Sequence, residues 1–97
     1  MSFVLVVRMK VAEGNEKRAA EIIPELARAS RKEAGCELYI PSRDPEDQRS
    51  YLFYEQYRDQ TAFEEHGVSE HFQRLAAGEL FGLLESRERA FYETVVD

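Results

Sequence analysis

The chain is short of the features that most often announce a function. It has one cysteine, Cys36, and cannot close an internal disulfide. A reducing compartment is expected, with the thiol a small apolar core residue. No apolar run approaches the roughly 20 residues that span a bilayer. The apolar start, MSFVLVVRMKV, has no basic stretch before it and no small-residue cleavage site behind it. Neither a membrane anchor nor a signal peptide is therefore expected, and the location is read as cytoplasmic. There is no basic excess either: 13 Lys and Arg against 19 Asp and Glu leave a net charge of −6, which argues against a nucleic-acid partner. The basic residues Lys17, Arg18, Arg28, Arg31 and Lys32 are interleaved with glutamates at helical spacing, the pattern of a solvated helix face. No GxGxxG, Walker loop or cysteine pair is present, so no cofactor is expected.

What is present fits one small globular unit. At 97 residues, 43% hydrophobic and 33% charged, the composition predicts a soluble single domain over residues 1–97. From Phe3 to Val11 every odd position is apolar (Phe3, Leu5, Val7, Met9, Val11), while the even positions run Val4, Val6, Arg8, Lys10. That period of two predicts a strand with one face fully buried and the other buried only at its start. Ala19, Ile22, Ile23, Leu26, Ala27 and Ser30 then recur at helical spacing, with Asn15 as N-cap, Gly35 as stop and Pro24 kinking the interior. CELYIPSR alternates Cys36, Leu38 and Ile40 against Glu37, Tyr39 and Pro41, and its proline suggests an edge strand. DPEDQR is a turn.

SYLFYEQYR places Tyr51, Phe53, Glu55 and Tyr57 on one face and Leu52, Tyr54 and Gln56 on the other, so a central strand is expected. Asp59 begins a short helix with Ala62, Phe63 and His66, which Gly67 interrupts. Ser69 caps a second segment with Phe72, Leu75, Leu80, Phe81 and Leu84, and RAFYETVV closes as a strand.

The order strand, helix, strand, strand, helix, strand predicts an α+β, ferredoxin-like split βαβ: a four-stranded antiparallel sheet with helices on one face. The other face would carry a share of the aromatics Tyr39, Tyr51, Phe53, Tyr54, Tyr57, Phe91 and Tyr92. A monomer rarely exposes such a patch, so a homodimer packed through the sheet faces is expected.

Several tracts in this order resemble the antibiotic biosynthesis monooxygenase family of the dimeric α+β barrel group: VVRMKVAEGNE, ARASRKEAGCELYIPSRDPED, YLFYEQYRDQTAFEEH and SEHFQRL. The resemblance covers nearly the whole chain. It includes the Asp44-Pro45 connection, the Glu55-Gln56-Tyr57 strand end and the Ser69-x-His71-Phe72 tract. It implies a small oxygenase or oxidase acting with dioxygen on an electron-rich aromatic such as a quinol or anthrone, without metal or flavin. The haem-degrading branch differs at Val7, His66 and Ala76, where it uses asparagine, tryptophan and an iron-ligating histidine. An isomerase of a phosphorylated sugar, also known in the family, would need a basic cluster, and none is evident.

Cofactor-free oxygenation needs a base to ionise the substrate, donors for the oxyanion and a dry pocket. His71, His66 and Glu55 are the catalytic candidates. The two histidines are five residues apart and lack a third metal ligand, so no metal site is expected. If Gly67 ends one helix and Ser69 starts the next, the helix dipoles bias the two rings toward opposite protonation states, which makes His71 the better base. The competing reading has His66 capping the last carbonyls and His71 packing on the sheet. Glu55 is either an acid in a dry pocket or the partner of Arg8, Arg58 or a tyrosine hydroxyl at the dimer contact. Val7, Tyr51, Phe53, Tyr57, Phe63, Phe72, Leu75 and Phe81 are candidates for substrate contact as well as for core. A non-catalytic dimeric small-molecule-binding or stress-related module is the alternative function.

Overall fold

A computed structural model describes residues 1–96. Strands β1 (Phe3–Val11), β2 (Cys36–Asp44), β3 (Asp47–Tyr57) and β4 (Leu84–Glu93) form one antiparallel sheet in the order β2-β3-β1-β4. Helices α1 (Glu16–Ser30) and α2 (Gln60–Gly67), a π-helical segment (Phe72–Ala77) and a 3₁₀ turn (Leu80–Leu83) complete the chain. This is the expected α+β arrangement, with β3 central and the proline-bearing β2 at an edge. Among the described residues no helix is long and apolar enough to cross a membrane.

The core follows the period-2 reading of β1. Leu5, Val7, Met9 and Val11 are buried beneath the helices, and on the other face only Val4, at the strand's start, is buried. The residues α1 buries are the predicted set: Ala19, Ile22, Ile23, Leu26, Ala27 and Ser30. Each large apolar side chain so buried contributes about 1.5–3 kcal/mol, which outweighs the hydrogen bond that Pro24 withholds inside the helix.

Local details depart from the sequence reading where tertiary contacts intervene. Asn15 occupies the N-cap position, but its side chain does not cap; its Nδ2 donates to the Leu83 carbonyl at 3.3 Å, tying the start of α1 to the root of β4. The helix ends at Ser30, well before Gly35, and residues 31–35 form a run of turns. Gly35 serves another purpose: a Cβ there would lie 2.4 Å from the Ala62 Cβ, so only glycine lets this connection press against α2. In β2 the register shifts between Cys36 and Leu38, which breaks the expected alternation. Cys36 and Tyr39 thus face the helices, while Leu38 and Ile40 face away.

The second helical stretch is not one α-helix. Ser69 does act as a cap, its Oγ accepting from the Phe72 N–H at 3.3 Å. The turns then widen into the π-helical segment, closed by the Gly78 N–H donating to the Gln73 carbonyl at 2.9 Å. As a result β4 begins at Leu84, and not at Arg89 as the pattern suggested. Of the aromatics expected on the open sheet face only Tyr54 and Tyr92 lie there, joined by Leu38, Ile40 and Leu52.

Candidate functional site

The helices do not cover the sheet evenly. Between α2, the π-helical segment and the strands β1, β3 and β4 remains a cavity of about 220 Å³. Leu5, Val7, Phe53, Phe63, Phe72 and Phe81 form its apolar wall, and Glu55, His66, Arg87 and Arg89 add the ionisable groups. Of the eight residues expected to contact substrate, Val7, Phe53, Phe63, Phe72 and Phe81 line this cavity. Tyr51, Tyr57 and Leu75 do not; they are buried in the surrounding core. A wider depression near Arg8, Lys10 and Asp44 lies at one end of the open face and contains no histidine.

His66 sits in the last turn of α2 but does not cap the helix with its ring. The ring is 2% exposed and packed among Tyr39, Tyr57 and Phe72, with centroids at 5.7, 5.3 and 5.2 Å. Its Nδ1 lies 2.7 Å from Glu33 Oε2, and its Nε2 lies 3.8 Å from Glu55 Oε1. His71 Nε2 meets the same Glu33 oxygen at 2.5 Å and Ser69 Oγ at 3.1 Å, and its side chain is not among those lining the cavity. The two histidines therefore converge in space despite their five-residue spacing, because the break between the segments folds one ring back over the other.

Glu33 is the residue that sequence reasoning missed. It had been absorbed into the charged face of α1, yet it lies beyond the helix end, on the connection that Gly35 holds against α2. The signal available was its place between a helix end and a glycine, where helical periodicity no longer applies.

The two carboxylates flanking His66 differ in character. Burial raises the proton affinity of Glu33, but hydrogen bonds from His66 and His71 outweigh it and hold the group below the usual carboxylate range. Glu55 is 4% exposed, and burial pushes its proton affinity up, only partly offset by the hydrogen bond from Tyr57 and the proximity of His66. Its partner is the hydroxyl of Tyr57 in the same strand, which donates to Oε1 at 2.5 Å, and neither Arg8 nor Arg58. Burial and the charge of Glu55 in turn push the Tyr57 and Tyr39 hydroxyls up. Cys36, raised to about 11 by burial and by neighbouring glutamates, stays a thiol at neutral pH.

A carboxylate has only acceptors, so both histidines donate to Glu33. With the Nδ1 proton of a neutral His66 committed to Glu33, its Nε2 is left as the basic nitrogen, on the side of Glu55. A carboxylate fixing the tautomer of an imidazole base is the logic of hydrolytic triads. Glu33, His66 and His71 also offer three ligand atoms within 4.8 Å of one another, so the argument that a third metal ligand is missing does not hold. The contacts of 2.5 and 2.7 Å are those of direct hydrogen bonds, however, whereas ligands on a tetrahedral ion stand roughly 3.3 Å apart. The haem-degrading pattern does not fit: small Ala76 lines the cavity where an iron ligand would be needed.

One sheet face roofed by helices around an apolar cavity with a carboxylate-held histidine on its wall defines a ferredoxin-like α+β protein. The family model for antibiotic biosynthesis monooxygenases matches residues 2–78, and the chain belongs to that family. Among solved structures it is similar to PA3566 from Pseudomonas aeruginosa, with 27% identity, a TM-score of 0.90 and coverage of 98% of this chain and 95% of that one. It is also similar to SO0527 from Shewanella oneidensis, with 26% identity, a TM-score of 0.86 and coverage of 96% and 90%. A structure described as an antibiotic biosynthesis monooxygenase shares the fold at 20% identity, with a TM-score of 0.89 and coverage of 97% and 99%. No curated protein matches the chain.

Proposed function

We propose that the protein is a small oxidase or monooxygenase acting on a phenolic aromatic with dioxygen, the substrate itself supplying the electrons. The observation that carries this reading is the buried His66, oriented by Glu33 and placed on the wall of the cavity. His66 Nε2 takes the hydroxyl proton of the bound substrate, which leaves an electron-rich phenolate against the apolar wall. For a quinol, two electrons then pass to dioxygen and two protons leave with them, giving quinone and hydrogen peroxide. Glu55, kept dry and inclined to hold a proton, donates to the developing oxyanion, while Tyr57 steadies it from behind. Phe63, Phe72 and Phe81 exclude water.

His66 replaces His71 as the favoured base, since His71 shares Glu33 but stands outside the cavity wall. His71 is then a positioning residue that fixes Glu33. The cavity volume lies below the ~300–1,000 Å³ usual for drug-sized ligands, which favours a single-ring quinol over a tricyclic anthrone. An open cavity with a buried histidine on its wall supports catalysis over the alternative of a passive binding module.

Oxygen uptake by chelator-stripped protein across a panel of hydroquinones and anthrones tests the reading. Uptake above the buffer rate is expected, falling at least tenfold in His66→Asn and less in His71→Asn. Uptake no faster than buffer with every substrate would overturn it, and activity that returns only with added metal would replace it with a metal-dependent one.

A further inference from the structure

Several arginines of the chain have carboxylate partners. Arg18 pairs with Glu79, Arg49 with Glu85, Arg58 with Asp59, and Arg74 with Glu70 and Glu25. Arg87 and Arg89 have none among the described residues, and they stand on the cavity. In the β1–β4 register Arg87 lies opposite Met9 and Arg89 opposite Val7, so both project from the edge strand onto the helix side. Each guanidinium rests on an aromatic ring: the Cζ of Arg87 is 3.8 Å from the centroid of Phe81, and that of Arg89 is 5.4 Å from Phe91. A stacked guanidinium engages through its face and leaves its N–H edge free for a planar anion.

The nearby acids do not neutralise this pair. Glu85 is engaged by Arg49 Nη1 at 3.2 Å, and Glu88, opposite Arg8, belongs to the other sheet face. Burial and the charge of Arg89 both disfavour the charged form of Arg87, a repulsion that an anion between the two groups would relieve. The sequence did contain the pattern, since SRER on a strand puts both arginines on one face, but the last strand was read as starting at Arg89, which left Arg87 outside it.

The distance across the sheet from Glu55 sets the length of the ligand. Phe91, Leu5 and Glu55 form one row across the sheet, and Arg89 lies two residues along β4 from that row. With strands about 4.8 Å apart and a rise of about 3.4 Å per residue, the Glu55 and Arg89 Cα atoms are about 12 Å apart. Both side chains rise from the same sheet face, and a ligand lying along it between them has the length of one ring with a polar group at each end.

We propose that the cavity selects a small aromatic acid, with its ring hydroxyl toward His66 and Glu55 and its carboxylate held by Arg87 and Arg89. This rests on the reading of the cavity as the substrate pocket and adds the charge class of its ligand. The arginine–carboxylate fork supplies orientation as well as affinity.

Titration calorimetry under anaerobic conditions with gentisate and with its methyl ester tests it, the two sharing a dihydroxylated ring and differing in the charge. Gentisate is expected to bind at least tenfold more tightly, with a preference that weakens as salt rises. In Arg87→Gln/Arg89→Gln, whose exposed positions leave the core untouched, the ratio should fall to about one. Equal affinities in the parent protein, or a preference that survives in the double variant, would overturn the inference. Binding is read without oxygen, so the two proposals can fail separately. Gentisate bound with the stated preference, while neither it nor any phenol of the panel is oxidised, removes the oxidase reading and leaves this one. Hydroquinone oxidised without any preference for gentisate does the reverse.

Discussion

Leu52 and Phe53 are neighbours in β3 and live in different worlds. Phe53 points under the helices, 2% exposed, into the wall of the cavity, while Leu52 points to the open sheet face and is 37% exposed. On the helix side burial is combined with the polar groups of Glu33, Glu55, His66 and Tyr57, which find partners among one another. The open side carries Leu38, Ile40, Leu52, Tyr54 and Tyr92, exposed or half-exposed, with no helix over them among the described residues. One face is finished within a single chain, and the other has the apolar character of an association surface. We infer that a second copy of the chain covers it, sheet against sheet.

Substitutions at this adjacent pair test the contrast directly. Phe53→Ala should cost about 3–5 kcal/mol, because it removes a ring from a packed wall that can collapse only partially. Urea denaturation measures this, and a loss below about 1 kcal/mol would mean that the helix side is not the main core. Leu52→Glu should leave the fold and its circular dichroism intact but convert a dimer to a monomer in light scattering, since one carboxylate per subunit would be desolvated in the interface. A parent protein that is already monomeric at micromolar concentration would remove the dimer inference and leave the cavity as it is.

How far the sequence disclosed these two faces depended on the range of the forces involved. Alternation in β1 and the three–four spacing in α1 are local consequences of burial, and the residues buried are those the pattern named. In β2 the pattern misled, because a bulge after Cys36 is set by pairing with Tyr57 and Gln56 and not by local composition. The end of the second helical stretch misled for a related reason: helical spacing continues through Leu84, but pairing with Val11 claims that residue for β4. At the site, residues that share a strand or helix with a motif were legible, as with Glu55, His66 and Phe53. Glu33 was not, since it is brought in by a close Gly35–Ala62 approach that couples two separate segments. The shared face of Arg87 and Arg89 was lost because the strand was read as starting at Arg89 and not at Leu84.

The finest comparison lies within the site, between Glu33 and Glu55 on either side of His66. Glu33 is held below its ordinary value when folded, so its ionised form favours the fold; that stability is present above the unfolded carboxylate value and is lost as pH falls through the folded one. Glu55 is held above its ordinary value, so its stabilising share is complete below the unfolded value and disappears as pH rises through the folded one. Near pH 7 the two substitutions should therefore have opposite signs. Glu33→Gln should destabilise by about 1 kcal/mol, since it exchanges charge-assisted hydrogen bonds for weaker ones, and the deficit should shrink as the pH is lowered below the carboxylate range. Glu55→Gln keeps an acceptor for the Tyr57 hydroxyl and removes a buried charge, so it should be neutral or slightly stabilising at pH 7 and lose that advantage in acid. Thermal melts of both variants between pH 3 and 8 read the two slopes. Parallel curves would mean that the carboxylates share one environment, and with that the division of the site into an orienting acid and a proton-holding acid would fail.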